Sequence, residues 1–361
     1  MPLLKTSYLL FSFIFLIRPV VAQVLSPDPT AEPLKGIILE GIDLTLNNRF
    51  EQAANLYQDL IDSFPQYPAG YFYKGATIQA EMLDAENYQN ATEFYTLMDH
   101  TIAVVDSLRN SHMSSHLGGG KNHAWLFFYE GSAFLYRSFL KMKAGEWYAA
   151  YQDAKKGVRS LEKTIELDST IYDAYLGIGS YKYWKSAKSK FLLWLPFITD
   201  QRERGIELVS LAIQKGWFVG TVGKDQLVWI FMNRGDFQSA LTLAMENYQK
   251  YPDSRFLRWT LASAAFYAKD WDLSQKLYAG LLQEIRILPE NNGFNEIDCL
   301  VRLADISREI ELWDESYKLA DEALRLNLDD HTRDRARNKL KKALEIREDA
   351  EKQRNKTDIS N

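Results

Sequence analysis

The chain has 361 residues, 46% of them hydrophobic and 25% charged, with a net charge of -5. Such a balance suits a globular protein or one growing solenoid, and the missing basic excess argues against nucleic acid, whose phosphates demand a cationic face. Aromatic residues make up 13% of the chain and supply large buried surfaces, while a single cysteine, Cys299, leaves no intramolecular disulfide, so packing must hold the fold.

Lys5, the apolar run 8–17 and Val20-Val21-Ala22 follow the order of a secretory signal. Residues 1–22 are therefore expected to be a signal peptide cleaved after Ala22. An uncleaved anchor would need roughly 20 apolar residues, and Arg18 interrupts this run. No Cys follows it, so lipid attachment of the bacterial lipoprotein kind is not expected. An exported chain without disulfides suits a bacterial periplasm, or an outer-membrane association, better than a eukaryotic secretory route. The sequons at Asn90 and Asn355 are the counter-sign, though such short motifs arise often by chance.

Residues 23–33, punctuated by proline, read as a linker. From Leu34 the pattern is helical almost throughout. It divides into an N-terminal segment (34–170), an irregular centre with an apolar insertion (171–220), a C-terminal segment (221–330) and a charged capping helix and tail (331–361). Gly41, Phe50, Ala53, Tyr57 and Pro65 punctuate the first pair of helices, and Gly75 follows Gly41 by 34 residues. One sentence of local grammar recurs five times: Asn48-Arg-Phe50 with Ala53, Gly145-Glu-Trp147 with Ala150, Gly235-Asp-Phe237 with Ala240, Lys269-Asp-Trp271 with Ser274, and Glu311-Leu-Trp313 with Ser316. Each is a turn, an aromatic and then a small residue three positions on, as a second helix needs if it is to lie close against the first.

On these motifs the chain resembles the tetratricopeptide-repeat (TPR) family over most of residues 34–330, with regular units at 34–75 and 221–285. The long helices around an irregular centre also look like the tetratricopeptide-repeat protein 39 group, from which the signal-like N-terminus departs. The resemblance implies an all-α, right-handed TPR-like α-solenoid of roughly six helix pairs. It also implies a concave groove that holds a protein or peptide. Carried over by register, the groove positions are Tyr183, Trp184, Trp229, Phe256, Trp259, Phe266 and Tyr267; the same rings could instead pack between neighbouring repeats, or stack on sugar rings. The expected role is a non-enzymatic scaffold for protein–protein contacts in the bacterial envelope, with no catalytic residue, no metal, no cofactor and no nucleic acid.

Three other stretches are weighed against that reading. His112, His116 and His123 lie in a Ser/Gly/His loop and could serve a metal-dependent enzyme, yet Gly118–Gly120 break any helix and no carboxylate stands at metalloprotease spacing. Gly118-Gly-Gly-Lys121 lacks the Ser or Thr of a phosphate loop, having Asn122 instead. Phe191–Ile198, reading FLLWLPFI, is the most apolar window after the leader: buried, it fills a change of direction; exposed, it offers a peripheral membrane contact.

Overall fold

A computed structural model describes residues 28–110, 121–188 and 199–360. The signal-like N-terminus, His112, His116 and the 191–198 insertion therefore lie outside the described residues. All regular structure among the described residues is α-helical. Seven antiparallel pairs follow one another: α1 (Leu34–Leu46) with α2 (Phe50–Ser63), α3 (Pro68–Ala85) with α4 (Ala91–Asn110), α5 (Lys121–Lys143) with α6 (Trp147–Leu167), α7 (Ala174–Lys188) with α8 (Arg202–Lys215), α9 (Gly220–Arg234) with α10 (Phe237–Lys250), α11 (Arg255–Tyr267) with α12 (Trp271–Arg286), and α13 (Phe294–Glu309) with α14 (Trp313–Arg325). Two further helices, α15 (Asp330–Arg335) and α16 (Arg337–Ser360), follow among the described residues, and α16 lies over α13 and α14. This is the all-α, TPR-like pairing that the motifs imply, with one pair more than expected because the long middle stretch holds complete hairpins.

The recurring turn has one structural cause. Asn48, Gly145, Gly235, Lys269 and Glu311 all adopt left-handed backbone, with φ of 59°, 80°, 82°, 61° and 61°. The amide of the next residue then reaches back five positions: Arg49 to Leu44 O, Glu146 to Lys141 O, Asp236 to Phe231 O, Asp270 to Ala265 O and Leu312 to Ser307 O, at 2.8–3.0 Å. This is the Schellman geometry that satisfies the last carbonyls of a helix while reversing the chain. Glycine adopts it without steric cost at Gly145 and Gly235; the other three turns accept a modest strain. The small residue of each motif lands in the helix–helix contact, for Ala53, Ala240, Ser274 and Ser316 are each 0% exposed and Ala150 is 6%. The Ser274 hydroxyl donates to Ala262 O at 3.1 Å, and Ser316 repeats the bond one pair later to Ala304 O at 2.9 Å.

Glycines permit closer crossings in the first half and the centre. A Cβ on Gly41 would stand 2.2 Å from the Tyr57 ring, and one on Gly75 at 2.2 Å from Met98. Gly131 faces Gly157 and Gly179 faces Gly205 so closely that a Cβ on any of them would meet the opposite carbonyl oxygen at 2.7–2.8 Å.

The two ends of the solenoid meet. The Arg255 guanidinium clasps Asp84, at 3.0 Å and 3.2 Å from Nε to the two carboxylate oxygens, and the Asn48 side chain donates to Asp253 O at 2.6 Å. Asn295 and Asn292 donate to the carbonyls of Asp84 and Glu86, while Arg335 pairs with the Glu86 carboxylate and donates to its carbonyl. Donors and cations are thus gathered at the C-terminus of α3, where the free carbonyls and the helix dipole favour them. A small apolar contact of Leu46, Tyr251 and Leu257 lies beside this clasp. Further bridges span the interior: Tyr73 meets Phe218 at 6.3 Å between ring centres, and Lys35 sits 4.3 Å over the Trp217 ring. The solenoid is consequently fastened across its own turn.

Candidate protein-binding surface

The first helices of the C-terminal pairs carry the aromatic residues assigned to the groove, and the structure sorts them by exposure. Tyr183 is in the core, 0% exposed, its hydroxyl bonded to Ile230 O and Asn233 Oδ1 at 3.2 Å and 2.8 Å. Trp184 packs edge-on against it. Trp259 is half-buried against Tyr278, and Phe266 against Trp271. Trp229, Phe256 and Tyr267 remain 38%, 41% and 41% exposed.

Phe256 and Tyr267 are eleven residues apart. That is three turns of α11, so they share a face about 16 Å apart along the axis. Trp229 joins them through a buried carboxyl. Asp225 is 1% exposed, accepts the Thr260 hydroxyl at 2.6 Å from α11, and is hydrogen-bonded by the Trp229 side chain on α9. Burial pushes the Asp225 carboxyl up to about 7, against the lowering effect of its two donors. At the other end of the face, Tyr267 stacks on Phe237 at 5.7 Å and is hydrogen-bonded by Arg302, whose guanidinium lies 4.7 Å over the Phe266 ring. Rigid rings with polar edges, beside a guanidinium fixed in place, suit recognition of a partner at low entropic cost.

Asp225 and Arg302 escape sequence reasoning, since each is one charged residue within a helical pattern. A charge placed on the apolar side of that pattern is the only available signal. His123 belongs to α5, and no group of three His, Cys, Asp or Glu side chains able to hold a metal occurs among the described residues. Cys299 is buried, and burial pushes its thiol well up. No helix among the described residues is long and apolar enough to cross a membrane.

No family model and no curated protein matches the chain. Solved structures of similar fold include tetratricopeptide-repeat proteins. They include the C-terminal part of a TPR repeat-containing protein from Cytophaga hutchinsonii, 15% identical with a TM-score of 0.37 over 82% of this chain and 98% of that one. The TPR domain of P58(IPK) is 12% identical with a TM-score of 0.27, over 88% and 98%. Yeast Tom70 is 14% identical with a TM-score of 0.34, over 86% of this chain and 60% of that one. Likenesses this distant carry no functional argument, and the TPR-like fold rests on the helix pairs and turns described above.

Proposed function

We propose that the protein is a non-enzymatic scaffold of the bacterial cell envelope that holds a protein or peptide partner on α9 and α11. The observation that carries this reading is the line of exposed rings, Trp229, Phe256 and Tyr267, on helices whose other large side chains are mostly packed away. Export rests on the signal-like residues 1–22. The test is chemical cross-linking in intact cells followed by capture, comparing the natural chain with a Trp229→Ala, Phe256→Ala, Tyr267→Ala variant whose helicity is checked by circular dichroism. Loss of a specific cross-linked partner is the expected result. An unchanged set of partners with an intact fold would remove this face from the account, and recovery of the chain from the cytoplasm would remove the envelope.

A further inference from the structure

Among the described residues, the two most exposed aromatic side chains lie elsewhere, at the start of α6. Trp147, Tyr148 and Tyr151 are 65%, 78% and 49% exposed at the start of α6. Their spacing of one and four residues puts all three on one side of the helix, and exposed Lys155 and Arg159 continue that side for two more turns. The C-terminus of α7 borders it. Tyr181 is hydrogen-bonded to Tyr151, Lys185 stands 5.6 Å over the Tyr181 ring, and Lys188 stands 5.6 Å over the Trp147 ring while reaching Met142 Sδ at 3.3 Å on α5. Glu146 and Glu162 are the acidic neighbours, and the cations outnumber them.

From this arrangement we infer that the α6–α7 face is a peripheral docking surface for an anionic lipid membrane. Trp and Tyr combine an apolar ring with a polar edge, which suits them to the headgroup level of a bilayer. Lysines lying over those rings can place their ammonium groups among lipid phosphates while their stems stay apolar. A protein hot spot would have its aromatics central and sheltered by a rim. Here they stand out at a helix end. One further feature of the sequence agrees: Lys190 and the apolar run 191–198 follow α7 in the chain. The binding surface inferred here consists of α5, α6 and α7 residues alone.

Sedimentation with vesicles tests it, using the purified protein, phosphatidylcholine vesicles with and without about a third phosphatidylglycerol, and residues 189–198 unaltered in every arm. The protein should sediment with the anionic vesicles and release as salt is raised. Trp147→Ala, Tyr148→Ala, Tyr151→Ala should weaken binding about tenfold or more, and Lys185→Glu, Lys188→Glu by a similar factor, with circular dichroism unchanged. Should the aromatic variant fail to fold, the lysine variant carries the test. The proposal is overturned by no binding to either vesicle, by equal binding to both, by variants that bind like the natural chain, or by a cross-linked protein that occupies Trp147 in cells in place of lipid.

Discussion

The pairs α1–α6 and α9–α14 share one turn and one pairing, yet they are filled differently. The N-terminal core sets many rings among its aliphatic side chains: Tyr57, Tyr67, Tyr73, Tyr129 and Trp125 are all buried, with Phe72 edge-on to Tyr73, Tyr129 and Tyr136. Burial pushes the Tyr73 and Tyr129 hydroxyls well up. The C-terminal core is mainly aliphatic, with Leu261, Leu281, Ile285, Ile297 and Leu300 among its buried side chains, Ala240, Ala262, Ala264, Ala304, Ala320 and Ala323 set between them, and the Ser274 and Ser316 hydroxyls bonded across the crossings. Long rings reach past their own pair, as Tyr73 and Trp125 do to Phe218. In the C-terminal core the ring contacts stay between neighbouring helices, as Trp259 with Tyr278 and Phe266 with Trp271. The turn therefore fixes the unit, and the filler decides whether units interact along the chain or across it.

Removing the fastening between the two regions should break the comparison most severely. Arg255→Ala leaves Asp84, whose carboxyl burial pushes up even with its partner in place, without a counter-charge. A loss of about 3 kcal/mol is expected in denaturant unfolding. Hydrogen exchange should speed up around residues 84–86 and 251–257 together; unchanged exchange would mean that the ends do not constrain each other.

Glycine substitutions should separate the regions next. Gly131→Ala drives a Cβ to within 2.8 Å of Gly157 O and should cost about 2 kcal/mol, whereas Gly280, with nothing within 4 Å, should gain up to about 1 kcal/mol as alanine. Equal effects at the two sites would refute the difference in packing.

Asp225 adds a pH dependence to the C-terminal region. Its carboxyl is raised from 3.8 to about 7 on folding, so the folded state holds the proton more tightly than the unfolded one. The stability this confers is complete below the unfolded value and is lost as pH rises through about 7. Asp225→Asn should flatten that window in thermal melts and leave the protein about 1–2 kcal/mol more stable at pH 8 than the natural chain. A slope that survives the substitution would assign it to another group.

The smallest effects concern the shared grammar. Ser316→Ala should cost about 1 kcal/mol by removing the bond to Ala304 O, and Glu311→Gly should gain about 0.5 kcal/mol by relieving left-handed strain. Parallel changes at Ser274 and Lys269 should match them in urea titrations, because the two turns have the same geometry.

Much of the fold was legible because its signals are local. A left-handed residue, an aromatic and a small residue within six positions describe a complete reversal, and the five such motifs mark five of the turns in the structure. The groove residues were harder to read, since register places a side chain on a helix face without saying what lies opposite. Tyr183 occupies a groove position by register, and Ile230 and Asn233, about fifty residues away, enclose it. The exposed aromatic face at Trp147 reads as turn grammar from sequence and is distinguished only by its unusual exposure.

The sequence alone determined the class of element, the turn that joins five of the pairs, the small residues at the crossings and the absence of disulfide support. Those depend on residues within a few positions of one another. Only the tertiary structure decided that the solenoid fastens Asp84 and Glu86 to Arg255, Asn292, Asn295 and Arg335, and that Trp229, Phe256 and Tyr267 stay open while Tyr183 closes. Those outcomes depend on how small rotations between successive pairs add up along the chain. No single repeat encodes that sum.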